Sequence, residues 1–374
     1  MTNHKKLIVA GKYETYIDGA GQQIIDLSGG FGFQVPEIIN AVKAQAERMG
    51  LSNRVLMSEP LIGLCRQLSG LLPEPLVSSY VCSSGDEAFE GALKLCKGLN
   101  PKRNTLVFIK GGDYGSLTYG RSLTYPDRYS EIQRLLGFKR VAVSHPRDLE
   151  SVDWKDCFAV CHTNVRNDNH GIPGLIDHSL LDRLYAAASD ARAPVISMDV
   201  NTCLGSLGRR FGFQHYANMP DIVVLGGALG GSAVPIGTYT CSEKMAYAVY
   251  GRSSPAKHGS TTAGNPMACI AAMATLDYVQ THNSEQRCAH NGELLASILK
   301  GLGATAMGAW VSMPLESNYK TQFHEALYQR GVYVSASQGN ALVMRCPITA
   351  RPQYVERAGQ IIKETFSHAL THAA

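Results

Sequence analysis

Ser79-Tyr80-Val81-Cys82-Ser83-Ser84-Gly85-Asp86-Glu87-Ala88-Phe89-Glu90-Gly91-Ala92-Leu93-Lys94-Leu95-Cys96-Lys97 reads as a short β-rich run (79–82), a turn of small residues and a helix-like run (87–97). The alternation continues along the chain, with β-rich runs at 105–109, 157–162, 194–199, 221–225 and 235–240 and helix-like runs at 179–189 and 265–282. Strands alternating with helices of about 10 to 15 residues predict an α/β domain with a mainly parallel sheet. Glycine and small polar residues gather just after strands, at 83–85, 111–115 and 226–231. In open α/β sheets ligands bind outside those strand ends.

The flanks read differently. Residues 13–17 and 23–27 suggest short strands and 37–49 a helix; from about Gln286 come a helix, strands at 307–313, 332–334 and 341–345, and a final helix at 352–369. We therefore expect a large α/β domain over 46–284 and a small α+β domain assembled from 1–45 and 285–374. The 374 residues carry a net charge of +4, with 35 basic and 31 acidic side chains scattered rather than in blocks. That balance implies neither nucleic acid nor an anionic membrane as partner. No apolar stretch is long enough for a transmembrane helix, and the start of the chain lacks the apolar core of a secretory signal. The ten cysteines fall singly, without paired metal-type spacings, so a metal site is not expected. Read as reduced thiols they point to a cytoplasmic protein.

Five segments in the same order carry a resemblance across about residues 10 to 370. Ser83-Ser84-Gly85-Asp86-Glu87-Ala88-Phe89-Glu90 resembles the N-S-G-T-E-A-N-E segment of class III (acetylornithine/ornithine-type) aminotransferases, fold type I of the pyridoxal phosphate enzymes. The run 200–208 with Phe211-Gly212-Phe213 is similar to D-E-V-Q-T-G-F-G-R-T-G and F-x-F, and 220–231 to P-D-I-V-T-L-x-K-A-L-G-G. His258-Gly259-Ser260-Thr261-Thr262-Ala263-Gly264-Asn265-Pro266 is similar to H-G-S-T-F-G-G-N-P, and Arg345-Cys346-Pro347 to the closing R-x-x-P. The resemblance implies a fold type I large domain with a small terminal domain, and a homodimer whose pocket is built from both subunits. In that family a helix N-terminus takes the cofactor phosphate, an aromatic stacks on the ring, an Asp pairs with the ring nitrogen, and a Lys forms the Schiff base.

The residues at those positions depart from the pattern. The lysine position is Gly227, which has no amine. The ring-nitrogen Asp position falls on Met198, with Asp199 on the following Glu. The Thr after Ser84-Gly85 is Asp86, and the stacking Y-H-G reads Asp113-Tyr114-Gly115. Thr261 matches the phosphate donor from the neighbouring subunit, and Lys257, in the same loop, is a candidate for a relocated amine. Arg345 matches the arginine that grips the substrate carboxylate, a task suited to its planar fork. In Cys161-His162-Thr163-Asn164-Val165-Arg166-Asn167-Asp168-Asn169-His170, His162, Asp168 and His170 are candidate acid–base groups and Arg166 an anion binder; Tyr114 is a candidate substrate contact. We expect a divergent homologue that has lost lysine-based transamination and takes a small carboxylate-bearing ligand, with no covalent cofactor. Its chemistry would be cofactor-free or would use pyridoxamine phosphate in a biosynthetic pathway. The alternatives are a non-catalytic partner or sensor subunit, and a pyridoxal phosphate aminotransferase with a relocated lysine.

Overall fold

The computed structural model describes residues 6–53, 56–126, 137–251, 258–316, 318–335 and 339–371. With strands numbered along the chain, the central sheet has the order β4 (Ser78–Cys82), β12 (Gly237–Cys241), β11 (Ile222–Leu225), β10 (Val195–Asp199), β7 (Cys157–Thr163), β5 (Thr105–Ile109) and β6 (Lys139–Val143). Only β12 runs against its neighbours; the other pairings are parallel. Strands β5, β7 and β10 are buried along their whole length. Helices cover both faces of a parallel sheet, so such strands read as continuous apolar runs instead of alternating ones.

The helices are α1 (Pro36–Arg48), α2 (Glu59–Leu71), α3 (Gly85–Leu99), α4 (Thr118–Thr124), α5 (His178–Ala191), α6 (Glu243–Tyr250), α7 (Pro266–Thr281), α8 (Ser284–Ile298), α9 (Lys320–Gln329) and α10 (Pro352–Thr371). Helix α3 begins at Gly85, two residues before the expected start, because Ser84 caps it: its Oγ accepts the Glu87 N–H at 3.1 Å, satisfying a donor the helix leaves over. Phe89, Phe108 and Met198 pack together on the α3 side of the sheet, and Val107, Val160, Leu180 and Leu184 on the α5 side.

Both chain ends build the smaller sheets. Strands β1 (Ile8–Lys12), β2 (Thr15–Asp18) and β3 (Gln23–Asp26) are joined by β15 (Val332–Tyr333), parallel to β3. Strands β13 (Thr305–Met307), β14 (Trp310–Pro314) and β16 (Ala341–Arg345) form an antiparallel sheet. The expected strand at 307–313 is thus two strands, turned at Gly308-Ala309. The Arg345 N–H donates to the Leu27 carbonyl at 2.7 Å, and Arg351 pairs with the buried Glu14 at 2.6 Å. One apolar cluster runs from Ile25 and Leu27 through Leu64, Ala271 and Leu342 to Ile362. Beyond the expected elements, the structure contains β1, β6, α2, α4, α6, α9 and a hairpin of β8 (Val165–Asn167) and β9 (Pro173–Leu175).

Candidate functional site

A cavity of about 960 Å³ opens at the carboxyl ends of β5, β6, β7 and β10, where an open α/β sheet places its ligands. Lys110 and His145 line it just past β5 and β6; Thr163 and Met198, Cα partners across β7 and β10, line it together. Arg166 and Asp168 come from the β8–β9 hairpin, and Trp310 and Arg345 from β14 and β16.

Arg345 is half-buried, and its guanidinium lies 5.1 Å from the Trp310 ring centre, within cation–π range. The two residues are Cα partners in the β14–β16 ladder. Its stem rests against Gly29, where an added Cβ would lie 3.1 Å from the Arg345 Cβ at a backbone φ of +97°; only glycine suits both demands. Burial pushes the Arg345 pKa down, and the carboxylates of Asp113 and Asp26 pull it back. Among the described residues no side-chain hydrogen bond or ion pair engages this guanidinium. Arg166 uses Nη1 to donate to the Ser144 carbonyl at 2.8 Å and pairs with no carboxylate among the described residues.

The expected acid–base set does not converge. His162 is fully buried on the far face of β7, with Nδ1 3.0 Å from the Thr163 carbonyl and Nε2 3.0 Å from the Tyr185 hydroxyl. Burial lowers its pKa to about 4, so it is a neutral core histidine and is corrected out of the site. Asp168 reaches the cavity wall, but its Oδ1 accepts the N–H groups of His170 and Ile172 at 2.8 and 2.9 Å; it shapes the turn of the hairpin. The exposed His170 contributes its carbonyl, which accepts the Asn340 N–H at 2.6 Å, and its side chain is not among those lining the cavity. Tyr114 is also corrected: fully buried between Phe89 and Phe108, it donates its hydroxyl to the Ile109 carbonyl at 2.7 Å.

Of the ancestral cofactor positions, Asp113 and Met198 face the cavity. Asp113 accepts the Gly115 N–H at 3.1 Å and the Asn201 Nδ2 at 3.2 Å. Asp199 points to the opposite side of β10, fully buried, accepting from the Thr202 hydroxyl and from the Gly212 N–H at 2.7 Å; burial raises its pKa to about 6. At the start of α3, Ser84 caps the helix, Gly85 packs against Val200 and Gly226, and Asp86 accepts the Ser116 N–H at 2.8 Å. Gly227 opens a 3₁₀ turn at φ +54°, where a Cβ would lie 2.5 Å from the Val200 carbonyl oxygen. Thr261 is exposed. Lys257 lies outside the described residues.

Sequence reasoning missed Lys110, His145 and Trp310. Lys110 carried a signal, since it follows the β-rich run 105–109; His145 follows β6, which gave none. Trp310 had none, because its link to Arg345 depends on the ladder register. Among the described residues no three His, Cys, Asp or Glu side chains gather as metal ligands, and no helix is long and apolar enough to cross a membrane. All ten cysteines are free thiols, nine of them buried.

Sheet order, cavity position and terminal sheets together define a fold type I aminotransferase-like α/β protein. The chain belongs to the class III aminotransferase family, whose model matches residues 3–170 and 174–366. It is 30% identical over 378 aligned positions to a putrescine aminotransferase from Pectobacterium atrosepticum, covering 94% of this chain and 79% of that protein. Its fold is similar to that of an adenosylmethionine-8-amino-7-oxononanoate aminotransferase from Methanocaldococcus jannaschii, with a TM-score of 0.86 at 21% identity over 97% of this chain and 93% of that one. An amine transaminase from an uncultivated Pseudomonas species, solved in its pyridoxal phosphate-bound form, gives a TM-score of 0.86 at 20% identity, covering 98% and 96%.

Proposed function

We propose that this class III homologue binds a small carboxylate-bearing ligand through Arg345 and does not hold pyridoxal phosphate covalently. The observation that carries the first half is Arg345 itself. It is clamped between Trp310 and the Gly29 backbone on the cavity wall, without an acid or hydrogen-bond partner among the described residues. A guanidinium held this way offers a carboxylate two parallel N–H donors.

The residues at the cofactor positions do not fit pyridoxal phosphate. Gly227 supplies no amine. Met198 faces the cavity with a thioether, which cannot act as the anionic partner of a pyridinium. Asp86 already sits on the Ser116 N–H beside the α3 N-terminus, and a like charge about 4 Å away costs about 4 kcal/mol at an effective dielectric of 20. Asp113 puts a carboxylate at the position of the family's stacking ring. These misfits touch different parts of one molecule, so no single repair restores ordinary binding.

A second reading, a pyridoxal phosphate aminotransferase with a relocated lysine, is favoured by one observation: Lys110 lines the cavity at the end of β5. One experiment separates the two. Protein mixed with pyridoxal phosphate and reduced with borohydride is digested and mapped by mass spectrometry. The expected result is no stoichiometric pyridoxyl adduct; an adduct at Lys110 or Lys257 overturns the proposal in favour of the second reading. In parallel, titration with hexanoate should show saturable binding that Arg345→Lys weakens while the melting temperature stays nearly unchanged.

We also infer a homodimer, since the exposed apolar residues Leu51, Leu56 and Met57 between α1 and α2 need a partner surface to leave water.

A further inference from the structure

We infer that Asp199 is a positioning residue for the cavity wall, acting through a buried, one-way chain of hydrogen bonds that ends on its carboxylate. The chain starts on β10, where the Ser197 hydroxyl donates to Asn164 Oδ1 at 3.1 Å. Asn164 Nδ2 donates to the Thr202 hydroxyl oxygen at 3.0 Å, and the Thr202 hydroxyl donates to Asp199 Oδ1. The Gly212 N–H closes on the other carboxylate oxygen at 2.7 Å. All four side chains are buried. Strand β10 thereby holds the β7–β8 junction, the turn after its own end and the segment at Gly212, in a network whose links reinforce one another.

The chain reaches the ligand side through the turn after β10. Asn201 and Thr202 both line the cavity. Thr202 directs its hydroxyl to the buried side, while Asn201 donates Nδ2 to Asp113 at 3.2 Å. Asp113 is one of two carboxylates whose charge acts on Arg345. Held by Asn201 it stays off the guanidinium; released, it competes there with a ligand carboxylate.

The end point of the chain is a charge without a counter-ion: among the described residues no Lys, Arg or His pairs with Asp199. The ionisable groups that face it are Cys203 and Tyr216, and burial pushes both up, the phenol to about 12. The histidines of the neighbouring segments are turned elsewhere, His162 to Tyr185 and His215 to the Leu207 carbonyl. At Gly212 the backbone lies directly on the chain, since a Cβ there would be 2.7 Å from Thr202 Oγ1 and Asn164 Nδ2 and 2.8 Å from Asp199 Oδ1. Burial raises the Asp199 pKa to about 6. Below that pH one carboxyl oxygen carries a proton and donates where it had accepted, so either Thr202 or Gly212 loses its acceptor.

The test measures hexanoate affinity of the full-length protein by calorimetry from about pH 5.5 to about pH 8, where a carboxylate probe is ionised, beside hydrogen exchange of residues 200–213 without ligand. The first arm rests on the carboxylate reading of Arg345; the second does not. Wild-type affinity should fall about threefold to tenfold as pH drops through 6, the range of one net hydrogen bond. Exchange at Thr202 and Gly212, corrected for its intrinsic pH dependence, should rise in step. Asp199→Asn and Thr202→Val should bind weakly and exchange fast at every pH, and Thr202→Ser, which keeps the hydroxyl, should restore the wild-type profile. Thr202→Val carries the test if Asp199→Asn does not fold. A profile shared by the wild type and both variants belongs to other groups, His145 on the cavity wall among them, and overturns the inference. Hexanoate binding by the wild type with no step near pH 6 also overturns it and leaves the Arg345 reading standing. If hexanoate does not bind at all, the Arg345 reading falls and exchange decides: a step near pH 6 that both variants abolish upholds the role of Asp199, and its absence overturns it.

Discussion

Position 227 combines two constraints that a missing amine alone does not imply. At φ +54° the backbone is in the left-handed region, and the direction a Cβ would take runs into the Val200 carbonyl oxygen at 2.5 Å. A non-glycine residue there pays for the left-handed conformation, about 1 kcal/mol, and for displacing the backbone of a neighbouring segment, roughly 1–3 kcal/mol. We therefore expect Gly227→Lys to destabilise the protein by about 3 kcal/mol and to lower its melting temperature by several degrees. Gly227→Ala should lose nearly as much, because the Cβ is the cause. Thermal unfolding that matches the wild type in either variant would show that the turn relaxes freely.

At the scale of elements, strand alternation decides which neighbour of each adjacent pair meets the ligand. Thr163 and Met198 face the cavity, so His162 and Asp199 on the paired strands β7 and β10 face the core. Burial drives their protonation in opposite senses. His162 titrates near 4 when folded against an ordinary 6.5, so stability is lost as pH falls from 6.5 towards 4, while the unfolded chain takes up a proton that the folded one refuses. Asp199 titrates near 6 when folded against 3.8, so stability is gained as pH falls from 6 towards 3.8, because the folded chain takes up its proton first. Each is a matter of about 3 kcal/mol, so these two contributions nearly cancel over this window. Asp199→Asn should expose the histidine term as a steady fall in unfolding free energy from pH 6.5 to 4, measured by urea denaturation; a profile parallel to the wild type would refute the opposition. His162→Gln should show the reverse slope.

The same alternation explains what the sequence could tell. The strand-turn-helix at 79–97 was legible because an apolar run, a turn of small residues and a helical repeat coincide, whereas the Ser84 cap that starts the helix two residues early was not read. Strand β6, Lys-Arg-Val-Ala-Val at the sheet edge, carries two charges in five residues and gave no such signal. The site was legible as a family of positions, Arg345 and Met198 among them. Tyr114 and His162 were misread because polar tips were taken as functional without asking which face of the chain they occupy. For His162 the unbroken apolar run Phe158-Ala159-Val160-Cys161 before it pointed to the core.

Over the whole molecule, the apolar loop between α1 and α2 sets the expected assembly. Leu51, Leu56 and Met57 are 61%, 64% and 80% exposed in the single chain. Sedimentation equilibrium at micromolar concentration should therefore give twice the chain mass of 40.4 kDa, and Met57→Glu should shift the protein towards the monomer. A stable wild-type monomer would remove the dimer. The Glu14–Arg351 ion pair sets a different constraint, one of time. It joins residues 337 positions apart, and the parallel β3–β15 pairing spans nearly as much chain. During translation the amino-terminal strands must therefore wait on the ribosome, unpaired on one side, while the central sheet forms. The wall that carries Arg345 and Trp310 is synthesised after every strand of the central sheet, so a nascent chain has no complete binding site until those late strands emerge.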